Sequence, residues 1–402
     1  METATIDALN NTSRRRTDGA GRAVQSVDAE SNITAATFDA NSNQLSVSDP
    51  NSVGYTAVFD ARNRETSRTD TMNAETQQSF DANSNVVKTI DAKNANSTAV
   101  FDARDRRVSL TDRIGGTTSW SFDGNSNITS LTDSESRTTA FAFDPRNLKM
   151  TETYADHNPP AVNDQVTFVY DGAKRLQTRT DQQGDYVTMI YDMANRLTAR
   201  QYRDHTKQPT DPPNDTDSFS YDGGGHMLAA VSGRYSNTLA FTYDQAGRMA
   251  SEALTIGGQT YTVGRAYDAA NRLTTITYPD SSVVAQTFTA RNLLQQVNYQ
   301  NALAASFTYD AGGRRATRKL GDTPGTTTTW GYANGSDLIA SITTPNLPSF
   351  TYTYDANKNK TAESITGVLQ PYGFSTGASG YDAEDRLVNW TRTDSAENQS
   401  WT

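Results

Sequence analysis

Apolar and polar positions alternate along most of this chain. Val166, Phe168 and Tyr170 keep a period of two, as do Leu239, Phe241 and Tyr243, and Phe350, Tyr352 and Tyr354. That period belongs to strands buried on one face, not to helices. Each alternating run closes on an aromatic residue followed by Asp, so the chain reads as short strands punctuated by turns.

The punctuation recurs. Phe38-Asp39, Phe59-Asp60, Phe80-Asp81, Phe101-Asp102, Phe122-Asp123 and Phe143-Asp144 follow one another at 21 positions. Asp7, Asp28, Asp49, Asp70, Asp91, Asp112 and Asp133 keep the same step about halfway between. Each unit therefore holds two turns, each opened by Asp, and two strands. Beyond residue 150 the spacing loosens and Tyr replaces Phe: Tyr170-Asp171, Tyr191-Asp192, Tyr221-Asp222, Tyr243-Asp244, Tyr267-Asp268, Tyr309-Asp310, Tyr354-Asp355 and Tyr381-Asp382. Phe288-Thr289 and Tyr332-Ala333 hold the same place without Asp. The organisation is one continuous array, regular over 1–155 and looser over 156–402. Insertions at 156–165 and 203–217, rich in Pro, Asp and Asn, read as exposed loops.

Turn chemistry explains this spelling. Asp accepts a hydrogen bond from the backbone two residues on, and the fifth motif position carries residues tolerable in the left-handed region. Asn63, Asp105, Asn195, Gly225, Gly247, Asn271, Gly313 and Asp385 stand there. A type I turn followed by a left-handed residue is a common hairpin connection.

YDQAGRM at 243–249, YDAANRLTTITYPD at 267–280 and YDAGGRR at 309–315 carry a family resemblance. The chain resembles the RHS or YD-repeat family, whose pattern is Tyr-Asp-x-x-Gly-Arg-Leu followed by a strand. The likeness runs over roughly 7–402 and lies in the recurrence. In the N-terminal half Phe replaces Tyr, and Ser or Asn often replaces Gly, as in FDANSN at 38–43 and 80–85. The resemblance implies hairpins wound into a hollow shell, as in the repeat-shell region of bacterial RHS and Tc-type toxins and wall-associated YD-repeat proteins.

The architecture expected from the residues is all-β: tandem hairpins of about 21 residues forming a long, spirally coiled antiparallel sheet, either a hollow shell or a solenoid. Two strands at about 4.8 Å advance the sheet about 10 Å per unit, and open twisted sheets rarely pass about ten strands without curling. One apolar stripe per strand lines one face but cannot fill a thick interior, so the two faces should differ. Aromatics of one series stand about 10 Å apart, beyond ring contact, and the intervening strand must supply what lies between.

Composition narrows the functional classes. The 402 residues are 35% hydrophobic with a mean hydropathy of -0.70, thin for a solid globule. The 19 Tyr, 14 Phe and 4 Trp at regular intervals argue against disorder. A net charge of -10 offers no field for a phosphate backbone, which excludes nucleic-acid binding. Without cysteine there is no disulfide framework and no thiolate metal site. The start, METATIDALNNTSRRR, has no apolar signal-peptide region, and no run of about 18 apolar residues predicts a membrane span.

Candidate chemistry reduces to turns. Arginine recurs one place past the left-handed position, at Arg64, Arg106, Arg175, Arg196, Arg248, Arg272, Arg314 and Arg386; surface pairing with the motif aspartates explains this row better than ligand binding. His157, His205 and His226 are the only histidines and read as solvent-exposed. Asp39-x-Asn41-x-Asn43, Asp81-x-Asn83-x-Asn85 and Asp123-x-Asn125-x-Asn127 open like a calcium loop but lack its Gly and Glu, and are better read as turns. The glycines of YDGGGH at 221–226 do not spell a phosphate loop. The expectation is no enzyme, no cofactor, no metal and no catalytic residue.

The resemblance implies a structural scaffold, part of the shell of a large secreted or cell-surface bacterial protein that encapsulates or presents a toxin. Its partners would be further repeats or a toxin domain of the same polypeptide. Family members often end in a self-cleaving Asp-Pro-x-Gly-like segment; Asp49-Pro50, Asp144-Pro145 and Asp211-Pro212 lack the rest of that pattern. The alternative is an extracellular fibre or adhesin, copies joined end to end through β-edges and binding cell-surface glycans through exposed aromatics. The end at Trp401-Thr402, where spacing calls for another Tyr-Asp, suggests a segment of something longer or an end that pairs with another chain.

Overall fold

The computed structural model describes residues 1–154, 164–322, 326–367, 373–375, 380–392 and 399–400. Among them there is no helix, and 36 strands run from β1 (Glu2–Ile6) to β36 (Gln399–Ser400). Each strand pairs antiparallel with the one before and the one after, so the chain is a single hairpin ribbon.

The turn after each aromatic is built as its residues dictate. Asp60 N–H donates to Arg64 O at 2.9 Å, and Asn63 N–H to Asp60 O at 3.0 Å. One Asp60 Oδ1 accepts the N–H groups of both Arg62 and Arg64. Asn63, Asp105, Asn195, Asn271 and Asp385 have φ between 59° and 64°, and Gly225, Gly247 and Gly313 between 76° and 91°. In FDANSN the left-handed residue is serine, Ser42 and Ser84, at φ 72° and 76°. The extra residue shifts the register beside the aromatic, as between Val58 and Phe59, giving the bulge that accompanies this turn.

The two faces of the ribbon differ. Residues paired across strands share a face, and Thr37, Ser46, Thr56 and Thr69 form a small polar row. Ala36, Val47 and Tyr55 lie on the other face, with Ala57 opposite Arg68 there. The same division places Ser121, Ser130 and Ala140 against Trp120, Leu131 and Thr139. Hydroxyl pairs link the small face, Thr37 with Ser46 and Thr242 with Ser251, each at 2.6 Å. Its few larger members stay exposed, Val58 at 57% and Val100 at 56%.

The ribbon coils and touches itself. The turn between β5 (Gln44–Ser48) and β6 (Gly54–Phe59) meets the turn between β28 (Ala302–Tyr309) and β29 (Arg315–Leu320), where Asn51 Nδ2 donates to Asp310 Oδ1 at 3.1 Å. The turn after β7 (Glu65–Asp70) meets the one after β30 (Thr327–Tyr332), where the Thr71 hydroxyl donates to Gly335 O. The turn after β9 (Val86–Ile90) meets that after β32 (Ser349–Tyr354), and that after β11 (Arg107–Thr111) meets that after β34 (Gly373–Ser375). From β5 to β28, β7 to β30, β9 to β32 and β11 to β34 the step is 23 strands, and Lys358 and Lys93 also reach the neighbouring turns 25 strands away, at Asp70 and Asp385. At about 4.8 Å per strand one revolution measures about 110 Å, a coil about 35 Å across at the backbone. With about 5 Å of side chain facing inward, the bore is about 25 Å.

No core fills it. The accessible surface is 23538 Å², against about 15,000 Å² expected for a compact monomer of 43.8 kDa. Ala57, Val166 and Ile365 are the only fully buried apolar side chains among the described residues. This is a wall one sheet thick.

The insertions are shorter than their composition suggested. Arg203 ends β19 (Leu197–Arg203) and is buried, and Asp215–Asp217 begin β20 (Asp215–Tyr221), leaving 204–214 as loop. Asp164 is buried and Gln165 begins β16 (Gln165–Tyr170); positions 156–163, with His157, lie outside the described residues.

Candidate functional site: the wedge between units and the seam between revolutions

The recurring arginines do more than pair at the surface. Arg64 Nε donates to Asp60 Oδ2 in its own turn at 2.7 Å, and Nη1 to Asp81 O in the next turn at 3.0 Å. Its guanidinium lies 4.5 Å from the centre of the Phe80 ring. Arg106 repeats this with Asp102, Asp123 O and Phe122, and Arg248 with Asp244, Asp268 O and Tyr267. Arg175, Arg196, Arg272 and Arg314 likewise lie over the rings of Tyr191, Tyr221, Phe288 and Tyr332. The side chain fills the gap between aromatics that spacing alone left open: held in its own turn by the ion pair, it joins each unit to its successor by a carbonyl bond and a cation–π contact. Arg386 pairs with Asp382 at 2.7 Å and is largely exposed.

This arrangement acidifies the turns. The Arg106 hydrogen bond, with the backbone donors of the turn, holds the Asp102 carboxyl down at about 2. The Arg64 guanidinium lowers Asp60 in the same way, and Arg248 lowers Asp244. Where Asp is lost another oxygen serves: Thr289 Oγ1 accepts from Arg291 N–H at 3.1 Å, and Ser336 Oγ from Leu338 N–H.

Tyr in the second half has a definite job. The Tyr243 hydroxyl donates to Met227 O at 2.8 Å, Tyr267 to Met249 O at 2.9 Å, Tyr309 to Leu294 O at 2.7 Å and Tyr354 to Ile339 O at 2.7 Å. Each bond runs back to the strand that opens the preceding hairpin. Phe cannot make it. We expect Tyr267→Phe to cost roughly 1 kcal/mol, the usual net value of such a bond. Denaturant melts of the whole chain measure it.

The first half has a second device that spacing did not single out. Asn43, Asn85 and Asn127 stand where alternate units carry Arg64 and Arg106. Their Nδ2 groups reach the left-handed residues Asn63, Asp105 and Asn147 of the next turn at 2.8, 2.8 and 3.0 Å. The sequence signal is the alternation of FDANSN or FDGNSN with FDARNR or FDARDR, a double unit of 42 residues.

The histidines are placed differently from one another. His226 occupies the arginine slot of its turn: Nδ1 lies 2.9 Å from Asp222 Oδ2, and its ring stacks on Tyr243 at 4.7 Å. It is half-exposed, as a solvent-exposed reading allows, and is also part of the wedge. His205 is exposed, 3.1 Å from Asp185. The calcium-like turns close on themselves: Asp39 takes Asn41 N–H, Asn43 N–H and Asn43 Nδ2, and Asp81 and Asp123 do the same. Among the described residues no cluster of three His, Asp or Glu is arranged to hold a metal ion. A cleft of 710 Å³ lies where the 204–214 loop leaves the sheet, lined by Tyr186, Tyr202, Tyr235 and several Asp and Arg residues.

The seam is ionic. Arg113 Nη1 lies 2.6 Å from Asp91 and 2.7 Å from Asp385 of the next revolution, with Glu384 at 3.4 Å from Nε. Lys93 lies 3.4 Å from both Asp355 and Asp385, and Arg291 is 2.7 Å from Asp28 and 3.7 Å from Glu30. Burial opposes ionisation of Asp385, but the amides of Asn357 and Asn359 and the Arg113 guanidinium outweigh it and hold the carboxyl at about 2. In each contact a turn opened by the intermediate Asp series rests on a turn of the aromatic-Asp series.

Fold and seam together define a class: hairpin repeats wound into a hollow coil. Among solved structures the chain superposes on TcdB2-TccC3 with a TM-score of 0.78 at 13% identity, over 97% of this chain and 25% of that one. TcdB2-TccC3 without its hypervariable C-terminal region gives 0.76 at 12% identity, over 90% and 22%. The Tc holotoxin pore of Photorhabdus luminescens gives 0.74 at 12% identity, over 96% and 25%. The chain thus shares the fold of these RHS-type repeats and spans about a quarter of their length. No family model matches the chain, and no curated protein is similar to it in sequence.

Proposed function

We propose that this chain is a structural, non-catalytic wall segment of a YD-repeat shell, part of a large secreted or cell-surface bacterial protein that encloses or presents a toxin. The observation that carries this reading is a coil closed laterally every 23 strands around a bore that no side-chain core fills. The fold shared with TcdB2-TccC3 supports it. A bore of about 25 Å is narrower than a folded 100-residue domain, whose radius of gyration is about 13 Å, so the cargo would be held extended or partly unfolded.

The test is a passenger. A small unfolded segment fused after Thr402 should resist protease while the shell is intact and be digested once acid or denaturant opens it. Digestion at the rate of the free passenger, or a micrograph showing a filled interior, would refute enclosure. The adhesin reading has one observation in its favour, the cleft of 710 Å³ with three tyrosines beside carboxylates and arginines. A glycan array with the purified chain decides it, and a flat result removes it.

A further inference from the structure

We propose that Asn334 is a site of spontaneous deamidation, a slow hydrolytic modification that loosens the seam where the turn after β30 meets the turn after β7. The inference needs only the seam and is independent of what the bore encloses. The reacting groups are a side-chain amide and the backbone nitrogen that follows it, with water as co-reactant.

Asn334-Gly335 is the only Asn-Gly pair in the chain. Asn334 is exposed, so water reaches its amide. Glycine has no side chain to keep its nitrogen from the amide carbon. What sets this turn apart is the missing motif Asp. In a regular turn that carboxylate takes the N–H two places on: Arg62 N–H donates to Asp60 Oδ1 at 2.8 Å, and Ala246 N–H to Asp244 Oδ1 at 2.9 Å. Thr289 still supplies an oxygen to Arg291 N–H. Ala333 has none to offer. Ser336 N–H donates to Ala333 O at 3.1 Å and closes the turn, and Ser336 Oγ takes Leu338 N–H, but among the described residues nothing takes Gly335 N–H. The nitrogen that must attack is the one this turn leaves free.

The chain holds its own controls. Asn41, Asn83 and Asn125 are also exposed and are each followed by serine. There the serine N–H is occupied: Ser42, Ser84 and Ser126 donate to Asp39 O, Asp81 O and Asp123 O, each at 3.2 Å.

In the reaction Gly335 N bonds to Asn334 Cγ as the Cγ–Nδ2 bond breaks, and the amide proton leaves with ammonia. Water then opens the five-membered imide at either carbonyl, giving aspartate or isoaspartate. Both products add a carboxylate, and isoaspartate runs the backbone through its β-carbon, one atom longer. The seam has no room for that atom. The Thr71 hydroxyl donates to Gly335 O, and Gly335, at φ 70°, lies so close that a Cβ would fall 2.7 Å from Thr71 O. The longer backbone must withdraw Gly335 from Thr71. The neighbouring pair of Lys358 with Asp70, at 2.9 Å, keeps the loosening local.

Peptide mapping by mass spectrometry of the full chain, stored warm at neutral pH for weeks, tests this. Conversion is expected at Asn334 while Asn41, Asn83 and Asn125 stay amides. Ala333→Asp restores the carboxylate and should slow conversion roughly tenfold, the worth of one hydrogen bond to a charged group that must break before Gly335 N can attack. Hydrogen exchange over residues 70–74 should rise with the converted fraction and stay constant in Asn334→Gln, whose longer amide cyclises far more slowly. An Asn334 as durable as the three controls overturns the proposal. So does an Ala333→Asp variant that folds, by its melting curve, and converts as fast as wild type, or conversion that leaves exchange over 70–74 unchanged.

Discussion

Replacing Gly54 with valine is expected to unzip the ribbon locally and cost about 3 kcal/mol. Gly54 opens β6 opposite Ser48, and a Cβ there would fall inside the van der Waals sphere of the Val47 carbonyl oxygen, with Val47 C and Ser48 Cα close behind. These are backbone atoms of the paired strand, so no rotamer change relieves the clash; the ladder between β5 and β6 must part. Because each strand rests mainly on its two neighbours, the damage should stay local. Hydrogen exchange should accelerate over residues 44–59 and remain unchanged near Tyr354. Uniform protection in the variant would show that the strand end adapts at little cost.

Arg113→Glu is expected to open the seam at its C-terminal end. The substitution sets a carboxylate among Asp91, Asp385 and Glu384, the three acids that Arg113 now joins. Loss of a fully buried pair costs about 3–5 kcal/mol; these side chains are about a fifth exposed, and solvent screening reduces the figure to roughly 2 kcal/mol. Exchange at 91–95 and 382–386 should rise together, a coupling that a purely local defect would not give. Acid should mimic the variant. Asp91 is buried enough to resist ionisation, yet Asn357 and Arg113 bring it below its usual value, and Asp385 lies at about 2. A carboxylate depressed on folding contributes fully above its unfolded pKa of 3.8 and loses that contribution as pH falls through the folded value. The seam should thus stay closed at pH 5 and loosen between 3.8 and about 2. Scattering that shows no change in dimensions across that window would contradict the assignment.

Much of the fold was legible because the local signals agree. The period of two set the strands, Asp set the turn starts, and residues such as Asn63 and Gly247 marked the left-handed position on stereochemical grounds alone. The two-sidedness of the ribbon followed from one apolar stripe per strand. The wedge was half legible: Arg64 was visible as a recurring partner for Asp60, but its second bond, to Asp81 O, depends on how far successive hairpins stand apart. His226 was read only as solvent-exposed, while its register, four past Asp222, is that of the arginine. The seam was not legible at all. Asn51 and Asp310 are 259 residues apart, and in a chain with an Asp in nearly every turn no charge pattern selects which two turns meet. That depends on the twist accumulated over a whole revolution, which no local window contains.

The step of about 23 strands per revolution turns the repeat into a ruler. Successive revolutions rest lower edge on upper edge, and the turns at those two edges are always an odd number of strands apart. Gain or loss of one 21-residue unit changes the revolution by two strands, preserves that parity, and only slides each seam turn to the neighbouring partner of the same kind. Each unit gained lengthens the circumference by about 10 Å and widens the bore by about 3 Å. A lineage of such chains could therefore tune the diameter of its container in fixed increments by duplicating hairpins, with no new interface to invent.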